Sequence, residues 1–160
     1  MVKFTDQFWK LVEAITLIVF VVMLLLTISQ IIFRYVLSIS VPWTEEAARW
    51  FYVWQIFLGS ALALRERIHL KVTLVTERFP PRFAACVRAA VLFLEVVFLG
   101  GILVGSAMMM GSIRTVTAGS FPVSMTYLYL ALPISFGLMV LVSLGRFLHA
   151  FLALIRPVEE

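Results

Sequence analysis

The chain has 160 residues, of which 62% are apolar and 14% charged, against roughly half and a quarter in soluble domains, so a water-soluble fold of this size could not bury its apolar surface. A formal charge of +4 invites a nucleic-acid reading, but that requires Lys and Arg gathered on one exposed face, and here they punctuate apolar runs. An all-α membrane protein remains; its single cysteine, Cys86, excludes both an intrachain disulfide and a multi-cysteine metal site.

The N-terminal stretch has the outline of a signal peptide, with Lys3 and Lys10 before an apolar run and Ser38, Ile39 and Ser40 behind it. The uncharged run over residues 14–33 is nevertheless about 20 residues long, beyond the roughly 7–15 of a signal core. At about 1.5 Å per residue it matches a hydrocarbon layer of about 30 Å, so it is expected to be a retained first span. Gln30 and Arg34 are four apart at its far end, where long polar side chains reach the interface.

After the polar turn Ser38 to Pro42, Thr44 reads as a helix cap followed by two first-turn acids, Glu45 and Glu46. Trp43 belongs at headgroup level. Arg49 follows Glu45 by four residues and Glu46 by three, so acids on its N-terminal side can neutralise it as it enters lipid. Span two is expected over about residues 43–64. Trp43, Ala47, Trp50, Trp54 and Phe57 form an aromatic stripe on it, and Gln55, Gly59 and Ala63 form a second stripe of small residues and one amide. Small side chains let backbones approach in lipid and a mid-depth amide wants a partner, so this second stripe is expected to face another helix, or else its spacing is incidental.

Residues 65–88 form a basic loop interrupted by Pro80 and Pro81, within which Leu70 to Phe79 is mildly amphipathic and is expected along the membrane surface. Span three is expected over about residues 89–113. It carries Glu95 and a Gly-x-x-x-Gly pair, Gly101 and Gly105, a helix-contact motif inside an apolar helix. Thr115 to Ser124 reads as a loop, and residues 125–145 as span four, anchored by Tyr127 and Tyr129 and bent at Pro133. The whole chain, 1–160, then forms one membrane domain of four transmembrane helices. Ten of the 13 Lys and Arg residues fall on the N-terminal tail, middle loop and C-terminal tail, so the positive-inside rule places both termini and the 65–88 loop in the cytoplasm.

No nucleophile constellation, phosphate loop or metal cluster is present in the sequence, and no cofactor or enzymatic activity is expected. His69 and His149 lie outside the apolar runs, where they cannot ligate a haem inside the bundle. Glu95 is the one carboxylate within a predicted span, at a cost of roughly 3 kcal/mol near the helix centre. It is either an ion or proton site, a structural pair with Arg88 or with a partner's basic group, or an acid that reaches the cytoplasmic interface.

The chain resembles the small membrane subunit, the DctQ-like or Q subunit, of the tripartite ATP-independent periplasmic (TRAP) transporters. The likeness lies in Arg34, Tyr35, Trp43, Glu45, Glu46 and Arg49, then Trp54, Phe57, Gly59, Ala61, Ala63, Arg65 and His69. Later, Phe121, Pro122, Tyr129, Leu132, Pro133, Gly137, Leu138 and Met139 resemble the family's last span. The long basic loop with Pro80 and Pro81 departs from the family. The resemblance implies a sodium-driven importer of organic acids in a bacterial inner membrane. In it, a large membrane subunit carries the substrate and sodium sites and a periplasmic binding protein delivers the carboxylate. This chain would then brace the large subunit and help dock the binding protein. Interface or docking candidates are Arg34, Trp43, Glu45, Glu46, Arg49, Gln55, Gly59, Ala63, Glu95, Gly101 and Gly105. The alternative is a self-sufficient homo-oligomeric transporter or channel, proton-coupled through Glu95. Reversal of both Glu45 and Glu46 to Lys is expected to disrupt assembly or docking, because the two acids are expected to pair with Arg34 and Arg49.

Overall fold

The computed structural model describes residues 2–66 and 81–155, which are helical but for two connections. The helices are α1 (Val2–Tyr35), α2 (Pro42–Glu66), α3 (Pro81–Ile113), a single turn α4 (Thr126–Tyr129) and α5 (Ala131–Ile155). Asp6–Tyr35, Phe83–Ile113 and Thr126–Leu152 are long and apolar enough to cross a membrane. α2 is long enough at 25 residues, about 37 Å, but Arg49, Gln55 and its Trp and Tyr residues make it less apolar.

Several sequence expectations are corrected at element ends, where local chemistry rather than apolar run length decides. α1 starts well before residue 14, because Trp9 and Val12 lie one turn apart and bury against Leu58, Trp54 and Leu138. α2 starts at Pro42, whose missing N–H and fixed φ suit a first helical position. Thr44 does not cap the helix: its hydroxyl donates back to the Val41 carbonyl at 2.7 Å. Pro81 likewise opens α3, so residues 81–88, expected in the basic loop, are the helix's first two turns. His69 and the segment Leu70 to Phe79 lie outside the described residues. Span four is interrupted rather than bent at Pro133: the interruption falls at Leu130, which keeps right-handed torsions (φ −59°, ψ −21°). Pro133 has no N–H for the Tyr129 carbonyl and its ring crowds that carbonyl, so regular bonding lapses one turn earlier.

α1 packs on α2, α2 on α5, and α5 on α3, leaving α1 and α3 at the two flanks. The seams use small or heptad-spaced residues. On α5 every fourth residue, Ala131, Ser135, Met139 and Ser143, is buried, three of them with no exposed surface. Side chains this small bring helix backbones together without a hydrophobic drive, which lipid does not supply. On α3 the buried positions Leu92, Leu99, Ser106 and Ile113 are seven apart, the spacing that keeps one seam facing a partner helix. Gly101 and Gly105 fall off that seam: both are exposed, and a Cβ at either would meet nothing within 4 Å.

Candidate functional site

At the end of the bundle that carries the α1–α2 turn and the 114–125 connection, one face of α2 holds that connection in place. Glu46 accepts hydrogen bonds from the Gly119 and Ser120 amides at 3.0 and 2.6 Å, one on each carboxylate oxygen. One turn on, Trp50 packs against Phe121 with ring centroids 5.1 Å apart. A further turn on, Trp54 Nε1 donates to the Tyr127 carbonyl at 3.1 Å, and Phe57 then meets Phe136 of α5 at 5.8 Å. Trp50, Trp54 and Phe57 of the aromatic stripe read in the sequence therefore meet the 114–125 connection, α4 and α5. The connection is also braced internally: Thr117 and Ser124 form an antiparallel bridge, Ala118 N donates to Val123 O at 2.8 Å and Met125 N to Val116 O at 2.9 Å. Between α2 and this loop runs an apolar groove of about 510 Å³ lined by Trp43, Ala47, Trp50, Phe51, Ser120 and Phe121.

The opposite end holds a polar cluster that joins four helices. Arg146 of α5 donates through Nη2 to the Leu64 and Arg65 carbonyls at 2.8 and 3.1 Å. These are among the last carbonyls of α2, which have no intrahelical donor, and a cation there also suits the helix dipole. Glu95 of α3 accepts from Ser143 Oγ at 2.6 Å and is Arg146's electrostatic partner, without a direct ion pair. Arg65 in turn reaches Asp6 of α1 at 3.5 Å and lies over the Trp9 ring at 5.1 Å. Arg146 thus caps one helix from another while an acid of a third offsets its charge.

This arrangement identifies the neighbours of Glu95 within the chain. Arg88 is exposed and is not its partner; the contacts come from Ser143 and Arg146 of the same chain. Glu95 lies level with the end of α2, and 19 residues separate it from Arg114, about 28 Å of helix.

The remaining candidates are scattered. Glu45 and Arg49 approach to 3.8 Å with 60% and 69% of their side chains exposed, and Arg34 makes no ion pair among the described residues, so the expected pairing of Arg34 with the acids is absent. Trp43 is half exposed at the groove. Gln55, Gly59 and Ala63 are half-buried, and a Cβ at Gly59 would meet nothing within 4 Å, so this stripe is not a close helix contact inside the chain. The Arg146 cap escaped the sequence reading, which treated Arg146 as a topology charge. An arginine directly after Gly145, near the end of an apolar run, was the available signal.

Residues 23–153 match the family described as tripartite ATP-independent periplasmic transporters, DctQ component. A TRAP transporter small permease protein of Haemophilus influenzae is 31% identical over 72 residues, 45% of each chain. The isethionate TRAP transporter permease protein DctMQ of Oleidesulfovibrio alaskensis is 31% identical over 102 residues, 61% of this chain and 16% of that one. The matched stretches span less than half the length of these curated relatives.

Proposed function

The chain belongs to the DctQ component family of the tripartite ATP-independent periplasmic transporters, and from that membership we propose that it is a scaffold subunit bracing a larger membrane subunit. In this reading α2 is a fourth span, since its charges are confined to its first two turns and its last, and both termini face the cytoplasm of a bacterial inner membrane. The complex would be sodium-driven and import an organic acid delivered by a periplasmic binding protein, with the Glu46-held connection on the outer face available for docking. The two flanking helices carry the argument. α1 and α3 expose long apolar faces that no described element covers, and Gly101 and Gly105 leave open space on one of them among the described residues. The relative named DctMQ supports the pairing, since its match to this chain occupies a small part of a longer permease.

Proteoliposomes containing the chain alone are expected to show no substrate-dependent flux, and flux should appear when the large subunit and binding protein are added. Robust flux from the chain alone would instead favour the homo-oligomer coupled through Glu95. A Gly101→Leu, Gly105→Leu double variant tests the flank. Its isolated melting temperature should stay near wild type, because the added side chains meet nothing in the chain, while co-purification with the large subunit falls. Unchanged co-purification would remove this face from the interface.

A further inference from the structure

A cavity of about 320 Å³ opens at the turn between α1 and α2, bordered by Gln30, Arg34, Ser38, Ser40, Thr44 and Glu45 among others. The Thr44 hydroxyl is committed to the Val41 carbonyl. The side chains of Gln30, Arg34, Ser38 and Ser40 make no hydrogen bond or ion pair to any described residue. The Ser38 and Ser40 amides also donate to no backbone carbonyl. Glu45 is held only by its 3.8 Å approach to Arg49. The residues that border this one cavity therefore carry a guanidinium, an amide, two hydroxyls and two N–H groups without a backbone acceptor, together with one carboxylate. That set matches an anion and a cation carried by the same small molecule.

Its position narrows the molecule. Arg34 is the penultimate residue of the candidate span Asp6–Tyr35, which puts the cavity at headgroup depth, where phospholipids outnumber any solute. Ile31, Leu24 and Phe20 continue down the same side of α1 from Arg34, and all three are exposed. We propose that this cavity binds the phosphoethanolamine headgroup of a phospholipid. The phosphate oxygens take donors from Arg34, Gln30, Ser38 and Ser40, the ammonium donates to Glu45, and an acyl chain follows Ile31, Leu24 and Phe20. A choline headgroup has no N–H for Glu45, and a glycerol headgroup has no cation for it. The inference rests on α1 crossing the bilayer and is independent of the transport role.

The test is native mass spectrometry of the full, delipidated chain offered equal amounts of phosphatidylethanolamine, phosphatidylglycerol and phosphatidylcholine with identical acyl chains. One phosphatidylethanolamine should be retained under activation that strips the other two. Arg34→Gln should lower that occupancy roughly tenfold, as expected for a lost charge-assisted contact. Glu45→Gln should abolish the preference among headgroups while binding persists. Lys10→Gln, at the other end of α1, should change nothing, and lipid-free melting temperatures of the variants should match wild type. Equal retention of phosphatidylglycerol by the wild type would overturn the zwitterion site. Displacement of the lipid by equimolar soluble phosphoethanolamine would overturn the lipid assignment, and an equal loss in Lys10→Gln would overturn the location.

Discussion

An Arg146→Met variant is expected to lose on the order of 3 kcal/mol of stability and to melt roughly 6–12 °C below wild type in detergent. Methionine keeps an unbranched stem at this position of α5, so the loss reports the head group. Without the guanidinium, the Leu64 and Arg65 carbonyls lose their donor, and Glu95 loses its cation. Arg146→Lys should recover only part of the stability, because its shorter stem ends in a more strongly hydrated ammonium that is costlier to hold against the two carbonyls than a guanidinium. Full recovery by Lys would mean that charge alone matters, and a melting temperature unchanged by Met would remove the capping role. Glu95→Gln should be mild, since an amide oxygen still accepts from Ser143. Transport by the assembled complex should survive it. Lost transport with intact assembly would return Glu95 to the role of a coupling site.

The apolar runs and their charge breaks were legible, because crossing hydrocarbon demands about 20 uncharged residues in a row and little else produces them. Which face of each helix turns inward was not. In water an apolar stripe marks the buried side, whereas in lipid both sides are apolar and small residues serve internal and external contacts alike. Hence Gln55, Gly59 and Ala63 looked like the packing face of α2, while Thr44, Ala48, Leu58 and Ala61 are its buried residues. The α5 stripe with Ser135 and Ser143 passed unnoticed for the same reason. Polar partners were hidden by distance along the chain: 48 residues separate Ser143 from Glu95, and 73 separate Gly119 from Glu46. Local spacing suggested Arg88 for Glu95 and Arg49 for Glu46 instead; Arg88 is exposed, and Arg49 reaches Glu45 rather than Glu46.

The two acids at the start of α2 should prove unequal. Glu46→Lys is expected to speed hydrogen exchange at the Gly119 and Ser120 amides by roughly tenfold to a hundredfold, the scale set by losing charge-assisted acceptors. The substitution also places an ammonium where two N–H groups already point, so the 114–125 connection has to move rather than merely loosen. Glu45→Lys should leave those amides unchanged and cost about 0–1 kcal/mol, because its 3.8 Å pair with Arg49 is largely exposed. The damage expected of the double reversal therefore belongs to Glu46 alone. Glu46→Gln should fall between, since one of the two terminal oxygens becomes an NH2 group that cannot accept from the amide it faces. If exchange at the two amides responds equally to substitution at 45 and 46, the carboxylate clamp does not hold the connection in solution. If exchange rises in Glu46→Lys yet the assembled transporter imports its substrate at the wild-type rate, the connection's conformation has no part in docking.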